Sequence, residues 1–129
     1  MYEIPRDRHT ARPNVFDQTC PARFLLGRIA GKWSLLVIDA LHDGPIRNGA
    51  LMRRIEGISQ KMLTQTLREL EDLKLLSRQD RKTVPPHVEY ELTPLGRELQ
   101  TMVCALDRWV EQNMFELIDG SETIPLTQR

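Results

Sequence analysis

Apolar positions along the chain change period twice, and each change marks a new kind of element. Leu63, Leu67 and Leu70 recur at spacings of four and three, which places them on one face of a helix. Lys61, Gln65 and Arg68 fall opposite them, with Thr64 on the flank. Upstream, Leu35, Leu36, Val37, Ile38, Ala40 and Leu41 form an almost wholly apolar run. This predicts a helix over about Ser34–Leu41 at the buried centre, with Trp33 at its start. Gly44-Pro45 stops it. A helix over Pro21–Ile29 precedes it, with Pro21 at the first helical position, Thr19 or Cys20 as cap and Gly31 as breaker. A short amphipathic helix near Gly49–Ile55 turns Leu51 and Ile55 inward and Arg53 and Arg54 outward. Gly57 then turns the chain, and Ser59 suits the N-cap of the next helix.

After Leu75 the period becomes two. Leu76–Gln79 is one strand candidate. Val88–Leu92, with Val88, Tyr90 and Leu92 on one face, is the clearer one. The segment 80–87 between them is too long for a tight turn and carries Arg81 and Lys82, so the hairpin reads as a basic wing. Thr93 and Pro94 open a last helix running to about Ile118, where Leu95, Leu99, Met102, Leu106 and Trp109 repeat four, three, four, three. The predicted class is α+β, mainly α: a winged helix-turn-helix with flanking helices. Residues 1–18 read as an arm, 19–118 as the domain with the terminal helix 94–118, and 119–129 as a tail.

Composition narrows the function. Charged residues make up 28% of the 129 and apolar ones 40%, as in soluble globular chains. No apolar run nears the roughly 20 residues of a membrane span, and the N-terminus has no secretory-type apolar stretch. An intracellular, cytoplasmic protein without membrane contact is expected. Cys20 and Cys104, with His9, His42 and His87, show no metal-ligand spacing. Neither a phosphate loop nor a paired acid and base or nucleophile and base is evident. No cofactor, metal or enzymatic activity is therefore expected. The net charge is zero but unevenly spread: residues 44–97 hold ten Lys/Arg against seven Asp/Glu, whereas 98–129 hold two against six. The middle is basic and the C-terminal end acidic.

Gln60, Lys61, Thr64, Gln65 and Arg68 lie on the N-terminal half of the second helix of the helix-turn-helix. These residue types pair with adenine, guanine and thymine edges in a major groove about 12 Å wide. A solvated helix face is the plainer reading of that helix alone. Ser59 leaves backbone N–H groups at the helix start, where phosphate binds well. Arg47, Arg53 and Arg54 are candidate phosphate contacts, and Arg81 and Lys82 are candidates for an adjacent minor groove. Arg78 can instead pair with a neighbouring acid such as Glu89 or Glu91. The apolar seam of the last helix suits either packing on its own domain or a dimer, which would read a palindromic operator with half-sites roughly 34 Å apart.

A series of short motifs carries a resemblance. Cys20-Pro21, Gly31-Lys32-Trp33, Gly44-Pro45-Ile46-Arg47, the run Gly57–Thr64, Leu67–Glu71, Pro85–Tyr90 and Leu92–Gly96 together resemble the HxlR family of bacterial and archaeal transcriptional regulators, from about residue 20 to 110. One position departs: Asn48 stands where the family usually has an aromatic residue. The resemblance implies a sequence-specific regulator of double-stranded DNA that is a homodimer through its terminal helices, answering an unidentified effector. It also implies a sensor of oxidants or electrophiles at Cys20, where a helix N-terminus stabilises a thiolate. As alternatives, Cys20 is a small buried apolar residue, and the whole is a winged-helix module for protein–protein contact.

Overall fold

The computed structural model describes residues 12–118; most of the expected arm (1–11) and the tail (119–129) lie outside the described residues. The order is α1 (Pro21–Ile29), α2 (Lys32–Ala40), β1 (Ile46–Arg47), α3 (Asn48–Arg54), α4 (Gln60–Asp72), β2 (Leu76–Asp80), β3 (Val88–Leu92), α5 (Pro94–Gln112) and α6 (Met114–Leu117). The three strands form an antiparallel sheet in the order β1-β3-β2. Tyr90 pairs with Ile46 on one side and Arg78 on the other.

The core gathers around α2. Val37, Ile38 and Leu41 are sealed from solvent, as are Leu51 of α3 and Leu63 and Leu70 of α4, with Leu67 almost so. Leu76 and Leu92 close the hairpin end, and Val103 brings in α5. Gly57 takes φ +89° between α3 and α4, a left-handed conformation that a glycine adopts without Cβ strain. The Oγ of Ser59 accepts the Met62 N–H at 3.0 Å, so the expected N-cap forms.

A knot of hydrogen bonds joins α4, the sheet and α5. Lys74 sits at φ +64°, its N–H donating to the Glu71 carbonyl (2.9 Å) and the Leu75 N–H to the Leu70 carbonyl (3.0 Å). This is a left-handed helix terminus with lysine where glycine is favoured. Thr93 donates its hydroxyl to the Lys74 carbonyl (2.7 Å) and accepts the Gly96 N–H (3.0 Å). The Thr93 N–H donates to the Leu75 carbonyl (3.0 Å). Gly96 is buried against that same carbonyl.

Three features do not follow from the local pattern. The two-residue β1 has no alternation of its own to reveal it; it exists because β3 offers a free edge. The last helix stops at Asn113, whose backbone N–H and side-chain amide both donate to the Trp109 carbonyl, and α6 restarts after it. On α5, Val103 is the buried apolar side chain and Leu99 packs on the core, while Leu95, Met102, Leu106 and Trp109 are 54%, 63%, 46% and 51% exposed in the single chain. A heptad-like spacing shows that residues share a stripe, not which neighbour covers it.

Candidate nucleic-acid interface

The α4 cylinder has one buried face and one polar face. Leu63, Thr66, Leu67 and Leu70 are buried, whereas Gln60, Lys61, Thr64, Gln65 and Arg68 line one shallow exposed groove with Glu69. Local hydrogen bonds arrange the face along the helix. The Gln60 side-chain amide donates to Thr64 Oγ1 at 3.0 Å, and that of Gln65 to Glu69 Oε1 at 3.3 Å. Lys61 and Arg68 make no ion pair among the described residues, so their charge faces solvent. Ser59 stands exposed at the head of this face.

The remaining cations divide. Arg53 is exposed and makes no ion pair among the described residues. Arg54 instead bridges to Asp43 (3.1 Å) and lines a cleft toward α2 and α5, with Asp39 and Arg108. Arg47, in β1, donates to Nδ1 of His87, whose Nε2 side meets Glu89. Arg81 lies 3.5 Å from Glu89. Arg78 pairs weakly with Asp80 at 3.9 Å, not with the acids of β3. In the wing, the Arg81 N–H donates to the His87 carbonyl (2.9 Å) and the Lys82 N–H to Asp80 Oδ1 (2.9 Å), which holds Lys82 at φ +52° on the exposed loop.

Arg28 joins this site without any signal in the sequence. Its Nη1 donates to Glu69 Oε1 at 3.0 Å, tying α1 to α4 across a separation of 41 residues and offsetting an acid beside Gln65. No local pattern announces such a contact.

Cys20 is the N-cap of α1 and is 5% exposed. Successive turns seat it: the Asp17 N–H donates to the Asn14 carbonyl, and the Cys20 N–H to the Asp17 carbonyl. Asn14 then donates its backbone N–H to Sγ at 3.4 Å. Hydrogen bonds from Thr19, its backbone N–H first, hold the Asp17 carboxyl below the ordinary carboxylate value. The thiol is thus at a helix start, as the sequence indicates, yet covered. Cys104 is partly buried on α5.

A wide apolar surface runs over α1 and α5. Phe24, Leu25 and Leu26 of α1 are exposed alongside Leu95, Met102, Leu106 and Trp109, and a groove of about 320 Å³ between the helices is lined by Leu25, Ile29, Leu73, Leu95, Leu99 and Met102. Isolated exposed leucines are ordinary, whereas large apolar faces on proteins in general mark interaction surfaces. No helix among the described residues is long and apolar enough to cross a membrane.

A helix-turn-helix with a three-stranded wing, and a polar, cationic face on its second helix, define the winged-helix class of DNA-binding regulators. The family model of the HxlR-like helix-turn-helix matches residues 28–117, and the chain belongs to that family. The chain is 39% identical over 118 residues to the uncharacterized HTH-type transcriptional regulator YtfH of Escherichia coli (strain K12), covering 92% of this chain and 94% of the relative. Among solved structures, the transcriptional regulator ytfH from Salmonella typhimurium superposes with a TM-score of 0.77 at 42% identity, over 82% of this chain and 95% of the other. The redox regulator HypR in its oxidized form aligns with a TM-score of 0.67 at 40% identity, over 73% and 97%.

Proposed function

We propose that this protein is a dimeric, sequence-specific DNA-binding transcriptional regulator acting beside the chromosome in the cytoplasm. The observation that carries the reading is the groove-lining set Gln60, Lys61, Thr64, Gln65 and Arg68 on one exposed face of a helix whose other face is core. In this reading α4 lies in the major groove, with its N-terminal half on base edges and Ser59 at a phosphate. Arg53 holds the backbone, and Lys82 reaches the adjacent minor groove. Arg47, Arg54 and Arg81 contribute less, because each must first leave its partner in the protein. The apolar face of α1 and α5 supplies the homodimer, which places two recognition helices on a palindromic operator.

The test is fluorescence anisotropy of the purified chain on duplex DNA from upstream of its own gene, at several salt concentrations. Replacing Lys61 and Arg68 together by alanine weakens operator binding by more than about tenfold and flattens the salt slope by about 0.9 for each phosphate no longer neutralised. A winged-helix module that binds only proteins would show neither a salt slope in the wild type nor any effect of the double substitution.

Cys20 is assigned the response to oxidants or electrophiles. Its burial means that the turn holding Asn14 opens before the sulfur reacts. With a quinone, an S–C bond forms and the thiol proton passes to the ring, which is reduced to a hydroquinone and stays attached as the thioether. The relative HypR is named a redox regulator, in keeping with this assignment. Operator affinity of the wild type changes on quinone treatment, and Cys20→Ser abolishes the change. A wild type that ignores quinone, or a variant that still answers, removes Cys20 from the response.

A further inference from the structure

The contact between α2 and α5 is polar at its centre. Asp39, on α2, accepts the Gln100 side-chain amide on Oδ1 at 3.2 Å and the Arg108 guanidinium on Oδ2 at 3.3 Å. Gln100 and Arg108 lie two helical turns apart on α5, and Asp107, seven residues after Gln100, falls on nearly the same face. Its carboxyl is within hydrogen-bonding reach of Asp39, yet its Oδ2 is enclosed and meets no donor among the described residues. Two carboxylates held together in a half-buried site cannot both ionise without strong repulsion. Asp39 already has two donors; the enclosed oxygen of Asp107 has none.

We propose that Asp107 carries a proton at Oδ2 and donates it to Asp39, so that the α2–α5 contact is a proton-gated latch, closed in acid and weakened once the proton leaves.

The surrounding charges favour the protonated form. From α5, Arg108 faces the pair, but its Nε is engaged by Glu111 at 2.5 Å, and Glu111 adds negative charge. Cys104 lies one turn back on the same helix. From the C-terminal end of α2 come His42 and Asp43, which pair with each other at 2.9 Å. From α3 and the residues after it come Arg54, held by Asp43, and Glu56, both lining the cleft beside Asp39. Burial first, then the hydrogen bond to Asp39 and its charge, push the Asp107 carboxyl up from 3.8 to about 6, with Arg108 opposing. The folded state therefore binds this proton more tightly than the unfolded one. The stabilisation is complete below 3.8 and is lost as the pH rises through about 6. Because α5 bears the exposed apolar stripe, the latch also sets how that stripe is presented; this consequence rests on the dimer proposed above, whereas the latch itself does not.

The test is a carboxyl ¹³C NMR titration of the full chain. One aspartate carboxyl titrates with a midpoint near 6, and its signal disappears in Asp107→Asn. Asp39→Asn lowers that midpoint by at least about one pH unit, because the charge is gone and an amide donor replaces it. His42→Gln leaves it in place. In thermal unfolding, the wild type loses this contribution between about pH 4 and pH 6, and Asp107→Asn, whose amide keeps a donor toward Asp39, flattens that loss. The proposal is overturned if every aspartate carboxyl of the wild type titrates below about pH 5, a result that needs no variant to fold. It is equally overturned if Asp39→Asn folds and leaves the midpoint unmoved.

Discussion

Replacing Gly96 by alanine tests whether the start of α5 is seated as described. A Cβ at this position would lie 2.0 Å from the Leu75 carbonyl oxygen, 3.0 Å from its carbon and 3.2 Å from a methyl of Leu92. Real Cβ contacts essentially never fall under 3.0 Å, so about 1 Å of movement is required. The obstacle is backbone, not the end of a flexible side chain. That carbonyl accepts the Thr93 N–H at 3.0 Å, so any shift also disturbs the cap that starts α5. Overpacking a core costs about 1–3 kcal/mol, and the backbone obstacle here puts the cost at about 3–4 kcal/mol. Alanine's helix propensity returns about 1 kcal/mol. The net loss is about 2–3 kcal/mol, or roughly 8–12 °C in Tm at about 4 °C per kcal/mol. Urea denaturation followed by circular dichroism measures it. Gly49→Ala on α3 is the control: its Cβ would meet only Arg53 Nη1 at 3.6 Å, and stability should hold or rise by up to about 1 kcal/mol. Equal stability of Gly96→Ala and wild type would refute the seating of α5 on the Leu75 carbonyl.

Three further outcomes follow from the same geometry. Lys74→Gly relieves a left-handed lysine at the end of α4 and raises stability by about 1 kcal/mol in urea titration, since the terminus keeps its hydrogen bonds. Ser59→Ala removes the acceptor for the Met62 N–H and costs about 1 kcal/mol, whereas Ser59→Asp retains the cap and keeps stability while weakening DNA binding by charge repulsion. On the proposed dimer, Met102→Glu sets a charge on the exposed stripe of α5 without touching the core; sedimentation should show a shift toward monomer with the Tm of the isolated fold little changed, and an unaltered dimer would move the interface elsewhere.

Much of the architecture is written in local signals. The Leu63–Leu67–Leu70 spacing, the apolar run of α2, Ser59 and Thr93 as caps, and Pro21 and Pro94 at helix starts each act within a turn or two of chain. Such signals are read correctly because the hydrogen bond or steric clash behind them involves near neighbours. The polar face of α4 is legible for the same reason: once the buried leucines are placed, helical geometry leaves Gln60, Lys61, Thr64, Gln65 and Arg68 outside.

What the fold adds are relations between distant segments. Arg28 reaches Glu69, Arg47 reaches His87 and Arg108 reaches Asp39 across separations of 41, 40 and 69 residues. No periodicity encodes them, because they arise only when the core closes and sets one helix beside another. The same closure decides which cations keep a free charge for a polyanion and which are occupied, and it leaves the α5 stripe uncovered where spacing alone allows it to be core. Helix, strand and cap come from chemistry a few residues wide. The partners of each charged side chain come from packing, which depends on the shape of the whole.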